Sequence, residues 1–284
     1  MQAFAACPRL TPCPWWRRLR PPVQPPAKQA SPDRANVLGV GISAINLDLA
    51  VAAVAEALER RTKGYVCVTG VHGVSEAQHD PGFRAILNHA FLTTPDGMPT
   101  VWMGRWQGFQ QMQRVYGPDL MLRVCEFTRE RGYTHFLYGG APGVAEALKA
   151  RLEERFPGLK IVGTYTPPFR PLTADEEQQL ARRLDELKPD LFWVGLSTPK
   201  QEKFMAQYWQ KLNATLFFGV GAAFDFHAGR VRQAPRWMQR SGLEWLFRLL
   251  CDPARLWKRY LKNNPLFILR ALLQVTHLKR YTLD

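Results

Sequence analysis

From Asn36 onward, short apolar runs alternate with longer stretches in which apolar residues recur at helical spacing. The runs NVLGVGI (36–42), YVCVTG (65–70), HFLYGG (135–140), LKIVGTY (159–165), DLFWVGL (190–196) and TLFFGVG (215–221) predict strands, and AFLTTPDG (90–97) predicts a strand running into a loop. These runs are short and rich in β-branched and aromatic residues. Between them, LDLAVAAVAEALER (47–60) predicts a helix capped by Asn46. Residues 73–90 predict one or two helices, and residues 118–131 another. The segment 142–156 predicts a helix with Pro142 near its first turn. Over 172–188, Thr173 with Glu176 three positions on makes a capping box. A further helix is predicted over PKQEKFMAQY (199–208).

Strand and helix thus alternate about six times, and the strands are apolar throughout rather than every second residue. That pattern predicts a mostly parallel sheet with helices on both faces, a Rossmann-like α/β fold. Ligands of such sheets bind outside the carboxyl ends of the strands. After about residue 230 the strands stop. Three segments there predict two or three helices, with breaks at Asp252-Pro253 and Asn264-Pro265. Their Trp237, Trp245, Trp257, Phe247 and Phe267 alternate with Arg and Lys. Such a segment suits a lipid interface, and it equally suits a helical cap packed on the core. Three parts follow: a disordered basic, Pro-rich leader (1–34), an α/β domain (35–229) and a basic helical C-terminal appendage (230–284).

Charge sharpens the division. The chain carries a net +14, but residues 35–227 hold 20 basic and 20 acidic side chains. Residues 1–34 hold six Lys/Arg and one acid, and residues 228–284 hold 12 against three. A neutral body with a basic tail suits an anionic surface, phospholipid or nucleic acid. No apolar run approaches the ~18 residues of a spanning helix. The first residues lack the continuous apolar core of a secretory signal. The five cysteines form no CxxC pair, so buried or surface thiols in a reducing compartment are expected.

Candidate chemistry lies where strands end. Asp96, in TPDGMP, follows a proline and precedes a glycine. A carboxylate there can act as a general base toward a hydroxyl, or it can merely shape an Asx turn. Gly139 and Gly140 open a helix, which suits a diphosphate or simply a tight turn. Lys200 and Gln201 can bind sugar hydroxyls or phosphate, or form a solvated cap. Asp225 and His227 stand two apart without a third metal ligand nearby. His72, in VTGVHG, is either structural or a substrate contact. Three of these loops, at 94–99, 193–204 and 217–229, are expected to converge on one crevice. No DxD pair accompanies Asp96, so no metal is expected, and a leaving diphosphate would draw its positive charge from the Arg-rich tail.

With these residues in view, the chain resembles the WecG/TagA/CpsF glycosyltransferase family over about residues 36–262. The resemblance rests on VTGVHGVSEAQHDP, TPDGMPTVW, GPDLM, YGGAPGVAE, WVGLSTPKQEKF, GVGAAFDFHAGRVRQAP and GLEWLFRLLCDPARLWKRYL in that order. It implies inverting, metal-independent transfer of a sugar, of N-acetylmannosamine type or a related hexose. The donor is a UDP-sugar and the acceptor a polyprenyl-diphosphate-linked sugar in cell-surface polysaccharide synthesis. It implies Asp96 as base and Gln201 as a polar active-site residue. It further implies Arg248, Arg255 and Arg259 as contacts to lipid or substrate phosphates. No cofactor beyond the donor is implied, and no nucleic-acid partner. The implied location is cytoplasmic, peripheral on the inner face of the membrane, with homo-oligomers left open. Family members often carry a polar Asn after the second strand. This chain reads Thr69-Gly70-Val71-His72, so Thr69 or His72 is expected to take that contact. Two rivals stand beside this reading. One is a non-catalytic α/β protein binding nucleic acid or another anionic surface. The other is a dinucleotide oxidoreductase, which the missing GxGxxG disfavours.

Overall fold

The computed structural model describes residues 32–283; the leader expected over residues 1–34 falls almost wholly outside them. Its centre is a six-stranded sheet whose strands all run parallel. The strands are β3 (Gly64–Thr69), β4 (Leu92–Pro95), β5 (Thr134–Gly139), β6 (Lys160–Tyr165), β7 (Leu191–Gly195) and β8 (Leu216–Gly219), in the order β4-β3-β8-β7-β5-β6. Helices cover both faces, as the unbroken apolar strands require.

Successive side chains of a strand point to opposite faces, and the two cores sort accordingly. Val66, Leu137, Trp193 and Phe218 pack on one face. There they meet α1 (Leu47–Glu59), α5 (Gly117–Thr128) and α6 (Val144–Arg155). Tyr65, Phe136, Phe192 and Phe217 pack on the other. They meet α3 (Pro81–His89), α7 (Ala174–Leu187) and α8 (Lys200–Tyr208). The caps read from sequence form: Asn46 accepts the Leu49 amide at 2.9 Å, and Thr173 and Glu176 close a reciprocal capping box.

Four elements depart from the sequence expectation. The run NVLGVGI is an antiparallel hairpin, β1 (Arg34–Val37) with β2 (Val40–Ser43), and not one strand. Leu38 (φ 54°) and Gly39 (φ 84°) form its two-residue turn, with both dihedrals positive as hairpin turns favour. An apolar residue at the turn hid the reversal, yet Leu38 is fully buried. Second, the loop after Asp96 is a helix, α4 (Met98–Trp106), with Pro99 in its first turn. Third, the small-residue stretch after β8 contains a one-turn helix, α9 (Ala223–His227). Fourth, Asn264-Pro265 breaks nothing, because α12 (Pro253–Val275) runs through Pro265. A proline inside a helix costs about 3 kcal/mol. Burial of Asn263 and Phe267 against the body offsets that loss. The break at Asp252-Pro253 forms as expected, separating α11 (Glu244–Cys251) from α12.

The C-terminal helices do not hang free of the body. Beyond α10 (Arg236–Arg240) and α11, α12 crosses α2 (Val71–Ala77) and reaches the hairpin. Gln274 Nε2 donates to the Asn36 carbonyl (2.7 Å) and its Oε1 accepts the Leu38 amide (3.0 Å). The Asn36 side chain donates to the Tyr281 carbonyl at 2.7 Å. Among the described residues no helix is long and apolar enough to cross a membrane.

Candidate active site

A parallel sheet brings the carboxyl ends of all its strands to one edge. Here that edge carries, in spatial order, Asp96 after β4, Thr69 and Gly70 at the end of β3, Gly221 after β8, Leu196 after β7, and Gly139 with Gly140 at the end of β5. Neighbouring loops are tied together. The Asp96 amide donates to the Thr69 carbonyl at 3.1 Å, and the Gly140 amide to the Gly195 carbonyl at 2.9 Å. Parallel strands stand about 4.8 Å apart, so Asp96 lies roughly 10 Å from the end of β8 and roughly 19 Å from the Gly139–Gly140 turn. The glycines are needed where they stand. Gly139 has φ 121°, and a Cβ there would lie 2.7 Å from the Gly195 carbonyl carbon.

The predicted residues fall into three groups along this edge. Gln201 lies over the end of β8, where a Cβ on Gly219 would sit 3.2 Å from its Nε2. That nitrogen donates to Glu202 Oε1 at 3.0 Å, and Thr198 donates to the same oxygen at 2.8 Å. Glu202 therefore fixes the amide, and the buried Gln201 Oε1 has no hydrogen-bond partner. Burial raises the Glu202 carboxyl, against the lowering effect of those two donors. Lys200 is exposed beside this pair, and Asp225 is half-buried on α9. Gly139 and Gly140 form the distant end.

At the near end, His72 Nε2 lies 3.4 Å from Glu76 Oε1. Burial lowers the His72 pKa, the charge of Arg259 adds to that effect, and Glu76 opposes it. Arg259 Nε and Thr69 Oγ1 are buried without partners. Arg255 belongs to α12, and its side chain lies outside what the structure describes.

Asp96 anchors an alternating chain of charges. Arg114 Nε donates to the Asp96 carbonyl at 2.9 Å, and its NH2 is 3.5 Å from Asp96 Oδ1. The same guanidinium pairs with Glu244 and lies 4.0 Å over the Tyr116 ring. Glu244 in turn holds Arg248 at 2.8 Å. The Asp96 side chain is 29% exposed, yet its Oδ1 is buried and accepts no hydrogen bond. Burial pushes the carboxyl up to about 6; Arg114 and Arg248 pull it down and Glu244 pushes it further up. The pair Arg114 and Arg248 stays charged: burial would lower both, and the surrounding carboxylates outweigh it. A carboxylate that titrates near neutrality and is short of donors is suited to accept a proton.

The Glycosyl transferase WecG/TagA/CpsF family matches residues 35–281. The chain belongs to the WecG/TagA/CpsF glycosyltransferase family. It is similar to two proteins named N-acetylglucosaminyldiphosphoundecaprenol N-acetyl-beta-D-mannosaminyltransferase. The one from Bacillus spizizenii is 31% identical over 202 residues, 71% of this chain and 76% of the relative. The one from Bacillus subtilis is 29% identical over the same shares.

In this glycosyltransferase several residues at the edge were invisible to sequence reasoning. Arg114 and Tyr116 sit in the segment joining α4 to α5, which shows no motif of its own. Glu244 lies within GLEWLFRLL, but only the packing of α11 against Arg114 brings it to Asp96. Glu202 reads as a solvated helix charge, whereas it is 1% exposed. Among the described residues no three His, Cys, Asp or Glu side chains gather as metal ligands. One surface cavity, about 340 Å³ and lined by Arg151, Arg155 and His227, lies on the flank of α5 and α6. Another, about 280 Å³, is lined in part by Arg114, which also meets Asp96.

Proposed function

We propose that this glycosyltransferase moves a sugar from a UDP-sugar to a polyprenyl-diphosphate-linked sugar, with inversion, in the synthesis of a cell-surface polysaccharide. The observation that carries the reading is Asp96, a carboxyl raised to about 6 at the strand-end rim and flanked by Arg114 and Arg248. Ionised Asp96 takes the proton of the acceptor hydroxyl. The hydroxyl oxygen then attacks the anomeric carbon as its bond to UDP breaks, and UDP leaves with the bonding electrons. Gln201, with its unpartnered Oε1, accepts a donor-sugar hydroxyl or uracil N–H. Lys200, Asp225 and the Gly139–Gly140 turn lie further along the rim toward the nucleotide. Thr69 and His72 line the side nearer Asp96. Positive charge for the diphosphates comes from guanidinium groups, Arg248, Arg255 and Arg259 among them, and the reading calls on no metal or cofactor.

The curated relatives' names support a mannosamine-type donor and an N-acetylglucosaminyl-diphosphate acceptor. The outward faces of α11 and α12 support docking at the inner membrane surface. Leu250, Trp257, Leu261, Ile268 and Leu272 are exposed there among arginines and lysines. To test the reading, the protein is incubated with radiolabelled UDP-sugars and a prenyl-diphosphate-linked sugar, and lipid-soluble label is counted after organic extraction. Transfer from one UDP-sugar, lost in Asp96→Asn while UDP binding persists, is expected. Full turnover by Asp96→Asn removes Asp96 from the mechanism.

A further inference from the structure

The cavity beside Arg114 has features that the donor-side reading leaves unused. It lies between α4, the segment 113–116 and α10, with Met98 and Val101 as its apolar wall. Four arginines line it, Arg105, Arg114, Arg236 and Arg240, against a single acidic residue, Asp119. Asp119 is taken by Arg236 at 2.8 Å, and Arg114 is taken by Glu244. Arg105 is oriented by a bond from its Nε to the Met112 carbonyl at 2.9 Å. Among the described residues neither Arg105 nor Arg240 meets a carboxylate. Two cations without a carboxylate partner therefore line a half-open surface cavity, a setting that attracts a multiply charged anion.

Position narrows the choice of anion. Arg114 forms part of the cavity wall and also touches Asp96, so an anion held here is one guanidinium away from the base. In a sugar diphosphate the reacting hydroxyl and the phosphate are likewise separated by a single ring. The flanking side chains point to a lipid-borne ligand: Trp102 on α4 is 51% exposed and Trp237 on α10 is 63% exposed. Indoles in such places sit at headgroup level.

We propose that this cavity holds the diphosphate of the lipid-linked acceptor, with Arg105 and Arg240 on its oxygens and its sugar directed past Arg114 to Asp96. The proposal rests on the transfer reading above. Arg240 is exposed, so Arg240→Gln leaves the packing intact; Arg105→Gln is checked by its melting temperature. Three measurements are made on the full chain: KM for a short-prenyl diphosphate-linked sugar and for the UDP-sugar, pyrophosphate affinity by calorimetry under saturating UDP, and flotation with phosphatidylglycerol vesicles. Each variant is expected to raise acceptor KM and weaken pyrophosphate binding about tenfold, with donor KM unchanged. Unchanged acceptor KM together with unchanged pyrophosphate affinity overturns the proposal. Lost flotation with intact acceptor KM also overturns it, assigning the cavity to phospholipid headgroups. If no UDP-sugar is turned over at all, the transfer reading falls. Pyrophosphate binding that still depends on Arg105 and Arg240 then upholds the anion site by itself.

Discussion

Replacing Asp96 by Asn should make the protein more stable while it destroys turnover. The carboxyl titrates at about 6 in the folded chain against an ordinary 3.8. That difference, about 2 pKa units at about 1.36 kcal/mol each, means that ionised Asp96 costs the fold up to about 3 kcal/mol. The sign follows from which state holds the proton. Below pH 3.8 Asp96 is protonated in both states and costs nothing. Between 3.8 and about 6 the unfolded chain gives up its proton first, and stability falls as pH rises. Above that the full cost is present. Asparagine carries no charge at any pH. The 29% exposure of the side chain allows some solvent screening. The expected gain for Asp96→Asn at pH 7.5 is therefore roughly 1–3 kcal/mol, shrinking to nothing near pH 4. Urea denaturation of both proteins from pH 4 to 8 reads this directly. A difference that stays flat across the series, or a less stable variant at pH 7.5, refutes the reasoning.

The acid limb of kcat/KM should lie near pH 6 and move with Asp96's neighbours. Arg114→Gln removes a cation 3.5 Å away and shifts the limb up. Coulomb's law in a water-like medium makes that shift at least about one unit. Glu244→Gln shifts it down, and a limb that stays fixed in both variants belongs to another group. His135 bridges Trp193 Nε1–H (3.0 Å) and Thr128 (2.9 Å) in the core, and burial lowers its pKa to about 3. His135→Phe leaves the indole unpaired and should cost about 1–3 kcal/mol at pH 7 by denaturant titration. Because His135 binds its proton more readily unfolded, the wild type should lose stability as pH falls from 6.5 toward 3, and the variant should lose less. Gly139→Ala, forced to φ 121° against the Gly195 backbone, should lower the melting temperature and weaken UDP binding together. An unchanged melt would mean the turn relaxes freely.

Much of the fold was legible because burial on both faces leaves a one-dimensional trace. Strands such as LFWVG and LFFG are apolar at nearly every position, and the intervening helices announce their starts with Asn46 and Thr173. The hairpin was not legible, because Leu38 sits at its turn yet is buried and bonded to Gln274 and Gln78, so tertiary hydrogen bonds decide its conformation. Pro265 misled for a related reason: the packing of Phe267 outweighs a local helix breaker. At the rim, TPDGMP marked Asp96 because the motif and the strand end coincide in sequence. Its partners did not coincide. Glu244 and Arg114 are 130 positions apart and meet only once α11 folds back over the segment joining α4 to α5. Charge networks between distant elements leave no periodic signal.

Gln274 and Tyr281 fasten the far end of the long terminal helix to the first hairpin, while its near end starts beside the Glu244–Arg248 pair. With both ends moored, the helix cannot swivel, and the oily side it turns outward keeps a fixed bearing to the mouth of the crevice. A flat sheet of lipid gripping that side would thereby set both the depth and the tilt at which Asp96 is presented to anything rising from the bilayer.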